Sequence, residues 1–475
     1  MDLGWQATRE GLGFAMMYEE FVAGKLSRQP STGLAEVPKL HDGLFEFQLD
    51  LVAWALRLGR AAIFADTGLG KTRMQIEWAR HVPGDVLILA PLAVAAQTAR
   101  EGDAIGCKVN VCRELADVRK GVNVTNYDRV HKFDPKRFTG IVLDESSIIK
   151  HHDARTLNRL MEMFHRTPFK LCATATPAPN DFTELGTHAE FLGVCRRVEM
   201  LSEFFVHDGG DTSVWRLKRH AQSAFWRWVA TWAALVRKPS DLGYDDEGYD
   251  LPELRTIHHK IEASETAADD AGTIFVEEAR SLMDRRRARK ESATDRVKAA
   301  ADLVNASSDP WIVWCDLNVE SDMLAQSIPG STEVRGSNTT DEKEKALIDF
   351  AEGRIRVLVT KPSICGFGLN WQHCAHIAFV GVTDSWEAYY QAVRRCWRFG
   401  QLREVEAHIF ASEMEGAVIK NLARKEKDAR AMADELSRET RGVVRTEVQG
   451  SKRQTNLYCP AVEMTVPAWC REDQT

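Results

Sequence analysis

The stretch Ala61-Ala62-Ile63-Phe64-Ala65-Asp66-Thr67-Gly68-Leu69-Gly70-Lys71-Thr72 decides how this chain is read. An apolar run enters a short turn with two glycines, and a helical pattern, Met74 to Arg80, follows. The spacing fits a phosphate-binding loop, except that Ala65 stands where the commonest pattern has glycine. Gly68 and Gly70 allow close backbone approach, so that the N–H groups of Thr67 to Lys71 and the helix N-terminus face an anion. Lys71 supplies a point charge to the outer phosphates, and the Thr72 hydroxyl suits a magnesium ion.

A second signal lies downstream. Gly140-Ile141-Val142-Leu143 runs directly into Asp144-Glu145-Ser146-Ser147. A strand ending in two acids sets both carboxylates at the C-terminal edge of a sheet, where open α/β folds bind ligands. Asp144 can hold Mg2+ while Glu145 takes a proton from an attacking water.

Further short apolar runs occur at Val86–Ala90, Val122–Thr125 and Lys170–Ala173, and again at Trp311–Cys315, Arg356–Thr360, His376–Val380 and Glu406–Phe410. Helical patterns fill the intervals, as parallel sheets require. The two series, separated by about 130 residues, predict two α/β lobes. The expected division is an N-terminal helical extension over 1–40, a first lobe over 41–200, a helical, tryptophan-rich basic insertion and linker over 201–295, a second lobe over 296–440 and a loosely docked tail over 441–475. Met414, Val418, Leu422, Ala429, Met432 and Leu436 predict one long C-terminal helix.

The whole chain, 475 residues with 62 basic and 69 acidic side chains, carries a formal charge of −7. That excludes a blanket DNA-coating protein but leaves room for a local basic track. Thr212 to Ser240 is such a track, with six basic residues, no acid and four tryptophans. Phe225, Trp228 and Trp232 recur at helical spacing, which fits either a core face or a base-stacking platform. Arg285 to Lys290 is a second basic run. The ten cysteines form no C-x-x-C pair, and the longest apolar stretch, Val86 to Ala96, is about half a membrane span. With no signal-peptide pattern at the start, the expectation is a cytoplasmic chain without a membrane segment.

Taken together, these segments resemble superfamily-two helicases and translocases, and specifically the Swi/Snf-like branch; WRLK at 215–218 and RKPSDLGY at 237–244 resemble its phage-encoded members. The resemblance implies two RecA-like lobes in tandem, joined by a helical insertion, with ATP and Mg2+ bound between them. Phe45 and Gln48, 23 residues before Lys71, then resemble the element that reads adenine. Pro91, Thr125, Thr174 and Thr176 fall in segments similar to those that contact DNA or couple hydrolysis to it, and Arg237-Lys238 resembles an inter-lobe element. Gly366-Phe367-Gly368-Leu369-Asn370 resembles the fifth motif, which brings Gly368 and Asn370 to the nucleotide. Gln391, Arg395 and Arg398 resemble the sixth, which implies arginines that stabilise the transferring phosphoryl group. Asp144-Glu145-Ser146-Ser147 departs from the commoner DEAH or DEAD at its last two residues.

The partner so implied is DNA, duplex favoured and RNA left open, with replication, recombination or modification proteins as further partners. Three activities fit. They are an ATP-dependent DNA translocase or helicase, an ATP-gated nucleic-acid remodelling or binding subunit that does not separate strands, and the motor subunit of a nuclease or modification assembly.

Overall fold

A computed structural model of the chain describes residues 32–91, 94–150, 155–178, 181–208, 211–261, 292–365, 370–381, 385–412, 424, 441–442, 444–446 and 448–449. The strands are β1 (Arg60–Ala65), β2 (Val86–Ala90), β3 (Val109–Val111), β4 (Val122–Asn126), β5 (Gly140–Asp144), β6 (Phe169–Thr174), β7 (Phe205–Asp208), β8 (Asp211–Leu217), β9 (Ala233–Val236), β10 (Leu254–Ile261), β11 (Trp311–Trp314), β12 (Thr332–Glu333), β13 (Val357–Thr360), β14 (His376–Phe379) and β15 (Val405–Ser412).

Seven of them form sheet 1 in the order β3-β4-β2-β5-β6-β1-β9, and six form sheet 2 in the order β10-β15-β14-β11-β13-β12. Every pairing in both sheets is parallel. Both faces of a parallel sheet are covered by helices, so its central strands read as unbroken apolar runs. Val86-Leu87-Ile88-Leu89-Ala90 is buried throughout, and so is β5. The fold is the expected α/β pair of parallel-sheet, RecA-like lobes.

The described part of the segment between the lobes, expected as a helical insertion, contains strands beside helix. Its described residues hold the antiparallel hairpin β7-β8 and the helix Gln222–Ala230, and it sends a strand into each sheet. In β9, Ala233 pairs with Ala62 at the edge of sheet 1; in β10, Leu254 pairs with Val405 at the edge of sheet 2. Four apolar residues cannot reveal by periodicity whether they are strand or helix, and β10 carries Arg255, His258, His259 and Lys260, the mark of a half-exposed edge strand.

The aromatic run belongs to the core. Phe225, Trp226, Trp228 and Trp232 are at most 4 % exposed and pack with Phe204, Phe205 and Phe191 on one face of sheet 1. The base-stacking reading of these rings is therefore set aside, because no face of them is open to a base. Arg216, Arg219 and Arg227 of the same segment remain exposed.

The two end segments are described only in part. Residues 32–40 hold no helix, and the first helix among the described residues is Glu46–Leu58. At the other end, Val444 and Val448 are buried against sheet 1, and Arg441 pairs with Asp241 at 2.7 Å, so this part of the tail is docked. Apart from Arg424, the long helix expected over 414–436 lies outside the described residues, as do Arg285 to Lys290 and Gly366 to Leu369 with Gly368. Among the described residues no helix is long and apolar enough to cross a membrane.

Candidate functional site

The parallel register carries β1, β5, β6 and β9 to one edge, and their last residues feed the site directly. Ala65 leads into the phosphate loop, Asp144 into Glu145, Thr174 towards Thr176, and Val236 into Arg237. The Asp66 N–H donates to the Val236 carbonyl at 2.9 Å, which ties the loop to β9.

Within the loop, Gly68 and Gly70 have φ of 95° and 77°, in the left-handed region that a side chain disfavours. A Cβ on Gly68 would meet Phe399 at 2.9 Å, and one on Gly70 would strike the Gln48 amide. Gln48 is buried; its Nε2 donates to the Leu69 carbonyl at 2.9 Å and its Oε1 accepts from the Phe45 N–H at 3.0 Å. Gln48, which the resemblance implies reads adenine, thus braces the phosphate loop with both of its amide atoms engaged. Lys71 Nζ donates to the carbonyls of Ala65 and Asp66 at 3.0 and 3.3 Å. Burial holds this ammonium below the ordinary lysine range, against Glu145, Asp66 and Asp144, which favour its charge. Thr72 is the second residue of the Lys71–His81 helix.

The acids stand opposite. Asp144 Oδ1 accepts from Gln75 Nε2 at 2.6 Å, and its backbone carbonyl accepts from the Tyr127 hydroxyl at 2.7 Å. Burial, and then the neighbouring Glu145 charge, push the Asp144 carboxyl up to about 6. Glu145 has φ of 50° and is the one non-glycine residue with positive φ among the described residues. Such strain persists where surrounding structure imposes it, typically at functional sites. Here Thr174 Oγ1 donates to Glu145 Oε2 at 3.3 Å and accepts from the Thr176 N–H at 3.2 Å, which links the acid to the end of β6.

Ser146 and Ser147, the residues that depart from the commoner motif, are buried. Ser146 Oγ lies 3.1 Å from His188 Nε2 on the Leu185–Leu192 helix. Burial lowers that imidazole to about 4, so it is neutral at physiological pH.

The second lobe contributes from the Trp386–Val393 helix and the turn after it. The Arg394 guanidinium lies 2.7 Å from the Asp66 carboxylate and also donates to the Thr67 carbonyl at 3.3 Å, while the Tyr390 hydroxyl donates to Asp66 at 2.8 Å. Burial opposes the Asp66 charge, but Arg394, the Tyr390 hydroxyl and the Thr67 N–H outweigh it, and the carboxyl falls below the usual range. Arg395 is buried, donates to Gln391 Oε1 at 3.3 Å and lies within electrostatic reach of Glu145 and Asp144. Burial holds the Arg398 guanidinium below its ordinary value, helped by Arg395 and Arg394 and opposed by Glu145.

A cavity of about 610 Å³ opens beside these groups, walled by Asp66, Thr67, Arg237, Lys238, Arg394 and Phe399 among others. Thr67 Oγ1, Gln391 Nε2 and Arg398 Nε are buried without a hydrogen-bond partner. The cationic side chains of Lys71, Arg394, Arg395 and Arg398, with orphaned polar atoms at Thr67, Gln391 and Arg398, suit a polyphosphate, and a buried carboxylate beside a second acid, with Thr72 at the loop, suits a divalent cation.

Not every expected residue reaches this cavity. Asn370 lines a separate cleft of about 260 Å³ with Arg73, Gln97, Arg100 and Glu101. Arg237 and Lys238 form the wall beside the phosphate loop, and Lys238 pairs with Asp246 at 2.8 Å. Thr125 and Thr176 are buried, and Pro91 is half-buried just past β2. Conversely, the expected site residues did not include Asp66, Gln75, Tyr249, Tyr390, Arg394 or Phe399. Tyr390 and Arg394 sit one before and three after Gln391, and that spacing was the available signal. Tyr249, packed at 5.8 Å on Phe45 and 4.7 Å on Phe399, had none.

No curated protein matches the chain. Residues 295–400 match the family model described as the helicase conserved C-terminal domain. With the two parallel sheets, that match supports a superfamily-two helicase-type protein and, at the level of the family, a nucleic-acid-dependent ATPase motor.

Proposed function

We propose that this protein is an ATP-dependent DNA translocase or helicase of the Swi/Snf-like branch, hydrolysing ATP between its two lobes. One observation carries the reading. The phosphate loop and the Asp144–Glu145 pair of one lobe meet Arg394, Arg395 and Arg398 of the other, with Asp66 and Arg394 in direct ionic contact.

In this mechanism Gly68, Gly70 and Lys71 hold the phosphates through backbone N–H groups and one ammonium. Asp144 and Thr72 hold Mg2+, which when bound offsets phosphate charge. Glu145 orients the attacking water and accepts its proton. Arg395 and Arg398 stabilise negative charge on the transferring phosphoryl group, and they do so only with the lobes closed. Once the outer phosphate leaves, Arg395 and Arg398 lose that counter-charge, and their mutual repulsion favours reopening. If each lobe holds the DNA backbone in turn, each cycle moves the protein along it; exposed Arg216, Arg219 and Arg227 are the proposed backbone contacts in the first lobe.

Triplex displacement beside forked-duplex unwinding tests the reading. Displacement by the protein with ATP supports translocation, and unwinding as well supports the helicase form. Failure of both in a protein that hydrolyses ATP would overturn movement on DNA as the function.

A further inference from the structure

The strands of sheet 2 begin at the edge opposite the ATP-site loops, because the segment carrying Gln391, Arg394 and Arg398 leaves from the C-terminal end of β14. At that far edge the first residue of β14, His376, pairs in register with Glu406 on β15. His408 lies two residues further along β15 and so projects from the same face as Glu406.

The three side chains converge. His376 Nδ1 and His408 Nε2 each stand 3.5 Å from the same oxygen, Glu406 Oε2, and the three donor atoms all lie within 4.8 Å of one another. Ligands about 2.0–2.1 Å from a tetrahedral ion are about 3.3 Å apart, so the spacing is close to that of a filled site. An ordinary histidine–carboxylate pair would place an N–H on the oxygen. Here both facing nitrogens stand 3.5 Å from that oxygen, longer than an ordinary N–H···O bond, although His408 is only 5 % exposed.

The outward-facing atoms are, by contrast, engaged. His408 Nδ1 lies 2.9 Å from His259 Nε2 on β10, and His376 Nε2 lies 3.4 Å from Asp309 Oδ2. Glu406 Oε1 accepts from Arg255 at 3.3 Å, leaving Oε2 to the centre. The Asp309 carboxylate favours the His376 tautomer whose lone pair points inward, as outer partners do around metal-bound histidines, and the His259 contact is compatible with the same tautomer of His408. The Trp311 ring, stacked on His376 at 4.9 Å, walls the cluster on one side.

We propose that His376, Glu406 and His408 bind a divalent transition-metal ion of the zinc class, at a site separate from the magnesium position of the ATP site. Two imidazoles and one carboxylate select such ions over magnesium or calcium, which take oxygen ligands. Three protein ligands leave a coordination position open to water or a further ligand.

Zinc titration of the purified, chelator-stripped full chain, followed calorimetrically, tests the site. The ten cysteines can also take zinc, so the readout is the difference between proteins. Wild type is expected to bind one more equivalent than Glu406→Gln and than His376→Asn, with a dissociation constant on the order of micromolar or tighter, unaffected by excess magnesium. Both variants should keep the wild-type circular dichroism and zinc-free melting temperature, and either one that does suffices for the comparison. Equal zinc stoichiometry in wild type and a folded variant, or displacement of that equivalent by magnesium, would overturn the assignment. Magnesium-dependent ATP hydrolysis is expected in every protein of the set, so failure here leaves the ATPase reading untouched.

Discussion

Arg394 of the second lobe sets its guanidinium 2.7 Å from the Asp66 carboxylate of the phosphate loop, closing an ionic contact across 328 positions of sequence. Neither partner is held by its own lobe alone, so in the proposed mechanism the pair couples nucleotide binding to lobe closure. Arg394→Ala and Asp66→Asn should each lower kcat/KM for ATP by roughly 10- to 100-fold, and the double variant no further than the worse single one, because the residues act as a unit. Losses that multiply in steady-state kinetics would mean that the two act separately.

Asp144 makes the site sensitive to pH. Its folded value of about 6 exceeds the ordinary 3.8, so its contribution to stability is fully present below pH 3.8 and lost as pH rises through about 6. In magnesium-free protein, Asp144→Asn should therefore raise the melting temperature at pH 8, with the gain vanishing near pH 4. Magnesium needs the ionised carboxylate, so its apparent dissociation constant in the wild type should rise about tenfold per pH unit below 6. Calorimetric titration at pH 5 and pH 7.5 reads this directly; equal affinities would remove Asp144 from the metal site.

Ser146 explains its own departure from the commoner motif, since its hydroxyl meets the buried, neutral His188 at 3.1 Å. Ser146→Ala strands that nitrogen and should destabilise the first lobe by about 1–3 kcal/mol. A denaturant midpoint unchanged in Ser146→Ala would show that the contact carries no stability.

The sequence made the sheets legible where strands are buried on both faces. Val86–Ala90 and Trp311–Trp314 announce themselves as apolar runs, and the loop from Asp66 to Thr72 is bounded by strand and helix signals. It hid strands whose pairing is set by distant partners. Ala233–Val236 is too short for its period to speak, and Leu254–Ile261 is an edge strand with polar residues along it. The tryptophan face at Phe225, Trp228 and Trp232 was equally ambiguous, since helical spacing marks an apolar face without saying what covers it.

In the candidate site, Lys71, Asp144 and Glu145 were legible because their spacing to a strand end is local. Asp66, Tyr249 and Arg394 were not, because what brings them together is the approach of segments more than a hundred residues apart. The cluster at His376, Glu406 and His408 was hidden for the same reason: it needs the register of β14 against β15.

The central claim is ATP hydrolysis between the lobes, driven by Glu145 and stimulated by nucleic acid. Its most direct test is the ATPase rate of wild type and Glu145→Gln without nucleic acid and with single-stranded DNA, duplex DNA or RNA. The prediction is stimulation of the wild type, greatest with duplex DNA, and a loss of turnover of about 10²–10⁴-fold in Glu145→Gln with ATP and DNA binding retained. A rate indifferent to every nucleic acid, or turnover surviving in Glu145→Gln, would contradict it.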